Sequence, residues 1–354
     1  MENFISVVIP NRNGSATIGK CLESVFSSRY KRFEVIVVDD CSDDDSVDII
    51  KRFPCKLIQL KRHSGASRAR NVGAENSSGD ILFFIDADCI LREDTLSIVH
   101  KTFSECSSDT IIGGTYTKVP FDKGFFSTFQ SVFVNYSETK KTDNPDYIAT
   151  HAMAIDVHTF RDSGGFREDF LPILEDVEFS HRLRKMGYKL HMNPEILVQH
   201  IFNYNLIKSL RNGFRKSKYW TMYSIKNRDL FVDSGTASLE LKVNVVSYFL
   251  SLLFIAFWIY SLKGVFLYPL PIIYAFNIFV NRKLIKAFYD TKGLGFACLS
   301  LLYYLMVYPL AVGIGAIAGV IAYLFSPELR KLIRVNDRTY TSSCETTDNP
   351  SIRG

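Results

Sequence analysis

Residues 81–91 read ILFFIDADCIL: an apolar run ends in Asp86-Ala87-Asp88, two carboxylates separated by one residue. A buried strand that ends in two acids needs a positive charge opposite them. Two carboxylates at a strand end form a hard-oxygen site, suited to a divalent cation that keeps positions open for substrate oxygens. A diphosphate needs such a cation, because neutralising its charges makes it a better leaving group. Acids at strand ends also cap helices, so the DAD triplet by itself leaves both readings open. A second acid pair, Asp39-Asp40, closes the run FEVIVV, and a third, Glu175-Asp176, opens a helical pattern. Acids at a helix start also act simply on the helix dipole.

The elements that must position these groups alternate at short intervals. Runs 4–10, 33–44, 56–60 and 80–88 read as buried strands, and 15–28, 46–53 and 64–79 as the helices between them, with Ser15 a candidate N-cap. This alternation predicts a largely parallel, doubly wound sheet, which binds ligands at the carboxyl ends of its strands. Pro10, Asp39-Asp40 and Asp86–Asp88 should then face one cleft. Further on, 92–105 and 126–138 are predicted helices and 110–119 a strand. Residues 147–166 read as strand, short helix and glycine turn, 174–188 as an amphipathic helix, and 189–200 as an extended segment ending at His200.

The 354 residues divide by charge. Most charged side chains lie in 1–240, whereas 244–325 holds long apolar runs. The predicted organisation is a catalytic domain at 1–204, an amphipathic interfacial helix region at 205–240, a transmembrane region at 241–325 and a polar tail at 326–354. The segment 205–228 is basic and aromatic, as befits a helix lying in a membrane interface. Spans are expected at 244–262, 265–280 and 294–325. The last would be about 48 Å long against about 30 Å of hydrocarbon, so it must tilt, kink at Pro309 or be partly buried in protein; a single tilted span is the favoured reading. Gly315 and Gly319 have the spacing for close helix packing. The end of the tail is predicted to be disordered. The opening MENFISVVIP goes straight into a strand pattern and is read without a cleaved leader. Seven cysteines without CxxC spacing argue against a disulfide framework or a zinc site, and Cys89 is read as a buried filler. The net charge of +5 is modest, and no nucleic-acid partner is expected.

Taken in order, the stretches SVVIPNRNGSATIGKCLESV, FEVIVVDDCSDDDS, GASRARNVGAENSSGDILFFIDADC, GGFREDFLPILEDVEFSHRLRKMGY and EILVQH resemble glycosyltransferase family 2, inverting nucleotide-sugar enzymes of the GT-A fold. The resemblance covers roughly residues 4–202. It implies a Rossmann-like, mostly parallel α/β domain followed by transmembrane α-helices. It assigns Pro10, Arg12, Asp39 and Asp40 to the base pocket and Arg70 to the diphosphate. Asp86, with Ala87 beside it, would meet the ribose or a metal-bound water. Asp88, Asp86 and His200 would hold Mg²⁺ or Mn²⁺, and Gly164 and Gly165 would admit the donor sugar. Asp176 is the expected base for the acceptor hydroxyl, with Glu175 orienting donor or acceptor.

Two departures narrow the expectation. The Q-x-x-R-W motif of processive synthases is reduced to KSKYW at 216–220, which keeps only Trp220 and argues against a polymerase. The segment DADCILRED lacks the polar, proline-containing continuation of dolichyl-phosphate synthases. The expected activity is transfer of a sugar from a nucleotide diphosphate to a lipid-linked saccharide or glycolipid, on the cytoplasmic face of a membrane. A polyprenyl-phosphate glycosyltransferase, a short-chain synthase and an inactive scaffold are the alternatives.

Overall fold

The structure is a computed structural model and describes residues 2–107 and 109–333. Four strands, β1 (Ile5–Asn11), β2 (Phe33–Asp39), β3 (Lys56–Gln59) and β4 (Ile81–Phe84), pair in parallel in the order β3-β2-β1-β4. The apolar runs of β1, β2 and β4 are continuous because both their faces are covered, whereas β3 at the edge keeps Lys56 and Gln59 exposed. Side chains alternate across the sheet, so Val7 and Ile9 pack with Ile18, Leu22 and Val25 of α1 (Ile18–Phe26). Val8 meets Ala74 on the other face, where Ile36 and Val38 meet Ala69 and Val72, all three from α3 (Ala66–Glu75). Between β2 and β3 lies α2 (Ser46–Ile50). Helix α1 begins later than expected. Ser15 is not its cap: the Ser15 N–H is held by Asp44, and Thr17 occupies the cap position.

The sheet continues beyond β4 as a mixed one. Strand β5 (Cys89–Leu91) directly follows the acids and is too short for any periodicity to reveal. The others are β6 (Thr110–Tyr116), β7 (Met153–Asp156) and β8 (Lys189–His200), completing the order β4-β7-β6-β8-β5. The pairs β4/β7, β7/β6 and β8/β5 are antiparallel, so the doubly wound pattern stops after β4. Strand β8 is interrupted near Pro194, where its register against β6 shifts, as a residue without an N–H donor requires. Helices α4 (Thr95–Glu105), α5 (Phe125–Thr139), α6 (Val157–Asp162) and α7 (Glu175–Lys185) complete this domain.

Helix α8 (Leu206–Asn227) follows, then α9 (Leu239–Ser261), α10 (Pro269–Val280), α11 (Arg282–Met306), α12 (Tyr308–Phe325) and α13 (Pro327–Ile333). Two stretches, Leu239–Ser261 and Arg282–Phe325, are long and apolar enough to cross a membrane; the apolar stretch Gly264–Val280 is shorter. The basic stretch at 282–292 forms the first half of α11. Its Leu284 and Phe288 are buried, and Phe288 stacks on Phe129 of α5 at 5.2 Å. A kink at Lys292–Gly293, where Gly293 takes φ +76°, separates this half from the apolar one. The segment 294–325 also bends at Val307, just ahead of Pro309, and buries Tyr304, Tyr308 and Val312, so both the kink and the burial occur.

Gly315 and Gly319 do serve close packing, and their partner is the basic helix α8. A Cβ on Gly315 would strike the Phe214 carbonyl oxygen, and one on Gly319 the Lys218 carbonyl oxygen. Ser217 Oγ donates to the Val312 carbonyl at 2.7 Å. Buried asparagines tie the remaining helices together: Asn277 donates to Asn244 Oδ1 (2.9 Å), and Asn244 to the Tyr304 carbonyl (2.7 Å). The expected disorder at the end of the tail, including Cys344, falls outside the described residues.

Candidate active site

Parallel pairing aligns the strand ends, with Asn11 opposite Asp39 and Val8 opposite Phe84. At the β2 end the two acids organise backbone. Asp39 is buried and accepts from Asn11 Nδ2 (2.8 Å), Ser42 N–H (3.0 Å) and Ser42 Oγ (2.6 Å). Asp40 accepts from the N–H groups of Ser64 (2.7 Å) and Gly65 (2.8 Å), which fixes the start of α3. His63 bridges outward, with Nδ1 2.7 Å from Asp40 and Nε2 2.6 Å from Arg12. Pro10 is buried inside β1, and Arg12 is exposed at its end.

Helix α3 brings Arg70 across to the other acids. The guanidinium is buried and donates to Asp86 Oδ1 (2.8 Å) and to Glu175 Oε1 (2.7 Å). It joins the DAD turn to the start of α7, 105 residues away in sequence from Arg70 to Glu175. Burial opposes ionisation of Asp86, but Arg70 outweighs it and holds the carboxyl below the usual range. Leu174, just ahead of Glu175, is buried in a left-handed conformation at φ +76°. For a side chain branched like leucine this costs about 1–3 kcal/mol, and it aims the Glu175-Asp176 pair into the cleft.

Strand pairing brings His200 to Asp88. Cys89 of β5 faces His200 of β8, and the Ile201 N–H donates to the Asp88 carbonyl at 2.9 Å. His200 Nε2 lies 3.3 Å from Asp88 Oδ1, and that oxygen has no hydrogen-bond partner. Burial and the neighbouring Asp86 raise Asp88 to about 7, while burial lowers His200 to about 3, leaving its imidazole neutral. An unpartnered carboxylate oxygen beside a neutral imidazole is a donor pair that fits a divalent cation. Cys89 Sγ lies in the same group, but burial pushes the thiol up, so it stays protonated and fills space.

Asp176 lines a cavity of about 220 Å³ together with Arg70, Asp86 and Glu175. Burial, then the adjacent Glu175, raises it to about 6. The opposite walls hold residues that no motif announces: Tyr116, Glu138, His151 and Lys216. His151 stacks on Tyr116 at 4.0 Å and lies 3.3 Å from Glu138. It stands in the apolar stretch YIATHAMAI, where nothing in spacing distinguishes a site residue from a core histidine. A neighbouring cavity of about 300 Å³, lined by His63, Ser64, Gly65 and Arg167, also reaches Glu175. Gly164 and Gly165 line neither cavity; they form a turn with φ +78° and +66°, and Gly165 packs on Asn71 and Phe160. Another cavity, about 500 Å³ around Asp146 and His181, holds none of the expected residues.

The parallel α/β half-sheet, with strand-end acids facing a second acid pair on a helix start, has the GT-A fold. Residues 6–161 match the Glycosyl transferase family 2 profile. It is 28% identical over 238 residues to the glycosyltransferase AglE of Haloferax volcanii, covering 64% of this chain and 78% of that protein. It is 33% identical over 135 residues to the poly(ribitol-phosphate) beta-N-acetylglucosaminyltransferase TarP of Staphylococcus aureus, covering 34% of this chain and 41% of that one. In fold it is similar to the mannosyltransferase PcManGT of Pyrobaculum calidifontis, solved with GDP-Man and Mn²⁺, at a TM-score of 0.57 and 16% identity over 92% of this chain and 88% of that one.

Proposed function

We propose that the protein transfers a sugar, with inversion, from a nucleoside-diphosphate donor to a lipid-linked saccharide or glycolipid at a membrane surface. The observation that carries this reading is the Arg70 bridge, which holds Asp86 and Glu175 together and so sets the DAD turn against Asp176. The donor base lies toward Arg12, His63 and Asp40. The diphosphate lies toward Arg70, whose Nε has no partner. Asp88 and His200 hold the cation, Mg²⁺ or Mn²⁺, with Asp86 close by; when bound it neutralises charge on the leaving diphosphate. Asp176 takes the proton of the acceptor hydroxyl. The oxygen attacks the anomeric carbon from the face opposite the diphosphate, one C–O bond forms, the other breaks, and the electron pair leaves on the nucleotide. With only Trp220 left of the processive motif, the reaction is a single transfer. The relatives support a nucleotide-sugar donor: the mannosyltransferase neighbour holds GDP-Man and Mn²⁺.

Release of nucleoside diphosphate from a panel of UDP- and GDP-sugars, with and without Mn²⁺, tests this. Turnover should need the metal and be lost with a chelator. Asp88→Ala should lower it by about 10²-fold or more without loss of fold, because it removes an anionic ligand of the charge-neutralising ion. Unchanged metal-dependent turnover in that variant would overturn the assignment.

A further inference from the structure

The cavity at Asp176 does not end at α8. A second cavity of about 270 Å³ lies behind it, between α5, α8, α9 and α12, with walls that include Phe133, Leu241, Val245, Val312 and Ala316. Both cavities are lined by Lys216, Trp220 and Thr236. The first holds the acid cluster within mixed polar and apolar walls; the second exposes mainly apolar surface, with Gln130, Ser217, Thr221, Ser224 and Lys242 among its polar side chains. Lys216 stands at the junction, partly buried, and makes no ion pair among the described residues. The apolar chamber is bounded by α9 and α12, which belong to the stretches long enough to cross a membrane.

We infer that these two chambers form one acceptor channel: the apolar chamber takes the hydrocarbon chain of a phosphate-bearing lipid, and Lys216 pairs with its phosphate. This rests on the proposed glycosyl transfer and adds to it the chemistry of the acceptor. Three features fix the occupant. An apolar lining excludes a sugar or peptide, whose polar groups would lose their hydrogen bonds there. An ammonium without a counterion, placed where an apolar groove meets a polar one, matches an amphiphile whose charge lies at the head of its chain. The channel then points the rest of the head toward Asp176, where the hydroxyl must lie. The volume is near the lower end for small-ligand pockets, roughly 300 Å³, so it accommodates the first units of a chain and leaves the remainder to the bilayer.

Trp220 lines both chambers and is one of two tryptophans; Trp258→Phe leaves it as the single reporter. In that background the full chain in detergent is titrated with farnesyl phosphate, farnesol and inorganic phosphate, following Trp220 fluorescence. Farnesyl phosphate should bind saturably, about 10-fold tighter than farnesol, and inorganic phosphate should not compete at equal concentration. Lys216→Gln should abolish the preference for the phosphate and leave farnesol unchanged. Ala316→Phe, which fills the apolar chamber, should weaken both lipids about 10-fold or more. Binding of UDP or GDP with Mn²⁺, followed by calorimetry, serves as the control for fold and donor site in both variants. Equal binding of farnesyl phosphate and farnesol, an unaffected Ala316→Phe variant, or displacement of farnesyl phosphate by the nucleotide would each overturn the channel. Nucleotide binding without lipid binding sinks the inference and spares the glycosyl-transfer reading; absence of both sinks the reading itself.

Discussion

In the proposed reaction Asp176 is the proton acceptor, and it sits where an ionised carboxylate is costly. With its ionisation raised to about 6, it is largely protonated at pH 5 and cannot take the acceptor proton there. Turnover should therefore rise through pH 6 and level off above it. Asp176→Asn should lower turnover by about 10²–10⁴ and remove that limb, while donor binding survives. The same group makes a stability statement. Its folded value lies above the unfolded value of about 3.9, so the folded state binds more protons between pH 4 and 6, and stability falls as pH rises through that window. Asp176→Asn should thus raise the melting temperature at pH 7.5 and change it little at pH 4.5. A variant that loses activity and stability together at pH 7.5 would mark Asp176 as a structural residue.

At the scale of elements, the packing of α12 on α8 positions the wall of the cavity that the proposal assigns to the acceptor. Helix α8 carries Lys216 and Trp220 into the catalytic cavity, and it is held there by glycines that let α12 approach its backbone. A Cβ at position 319 meets a backbone carbonyl, which cannot swing aside as a flexible side chain would. Gly319→Val should cost about 1–3 kcal/mol, read from unfolding in detergent. Donor hydrolysis should fall less than transfer, since α12 packs chiefly on α8 and not on the strands β1, β2 and β4. Unchanged stability would show that the two helices are not in contact.

At the scale of the whole molecule, apolar surface is concentrated on one part of the chain. Helix α9 exposes Val246, Leu253, Ile259 and Tyr260, and α10 exposes Ile272 and Phe279, whereas α11 and α12 turn aromatic side chains inward onto α5 and α8. The contact between Asn244 and Asn277 marks the base of a hairpin whose tip is Lys263. From Asn244 to Ser261 this hairpin rises about 26 Å, close to the thickness of the hydrocarbon layer. The segment 205–228 packs on α12, and Phe288 of the segment 281–292 packs on α5 of the catalytic domain; if the hairpin crosses a bilayer, the positive-inside rule puts these basic segments on the cytoplasmic side. In a cysteine-free chain, Lys263→Cys should react with an impermeant maleimide on the membrane side opposite to Lys51→Cys on the catalytic domain. Labelling of both from one side would mean that α9 and α10 lie along the surface.

Apolar runs determined the four parallel strands, and the acids that close β2 and follow β4 marked the cleft, because burial on both faces of β1, β2 and β4 leaves a local signature in the sequence. The amphipathic helix behind Glu175-Asp176 and the break between charged and apolar halves were legible for the same reason. Other features depend on contacts between distant residues and leave no such mark. The antiparallel half of the sheet follows from β7 and β8 returning beside β4 and β5, and β5 is three residues long. Asp39 and Asp40 could be placed at the cleft from sequence, but only their hydrogen bonds to Ser42, Ser64 and Gly65 reveal that they hold loops in place. His151, Glu138 and Lys216 become neighbours of Asp176 through tertiary packing alone. The basic helix was identifiable by composition, yet its glycine-bearing partner α12 meets it across 95 residues of sequence, from Ser217 to Val312. Sequence determined which groups are chemically able to act; the folded chain decided which of them meet, because that depends on strand order and helix packing across distances that local patterns do not encode.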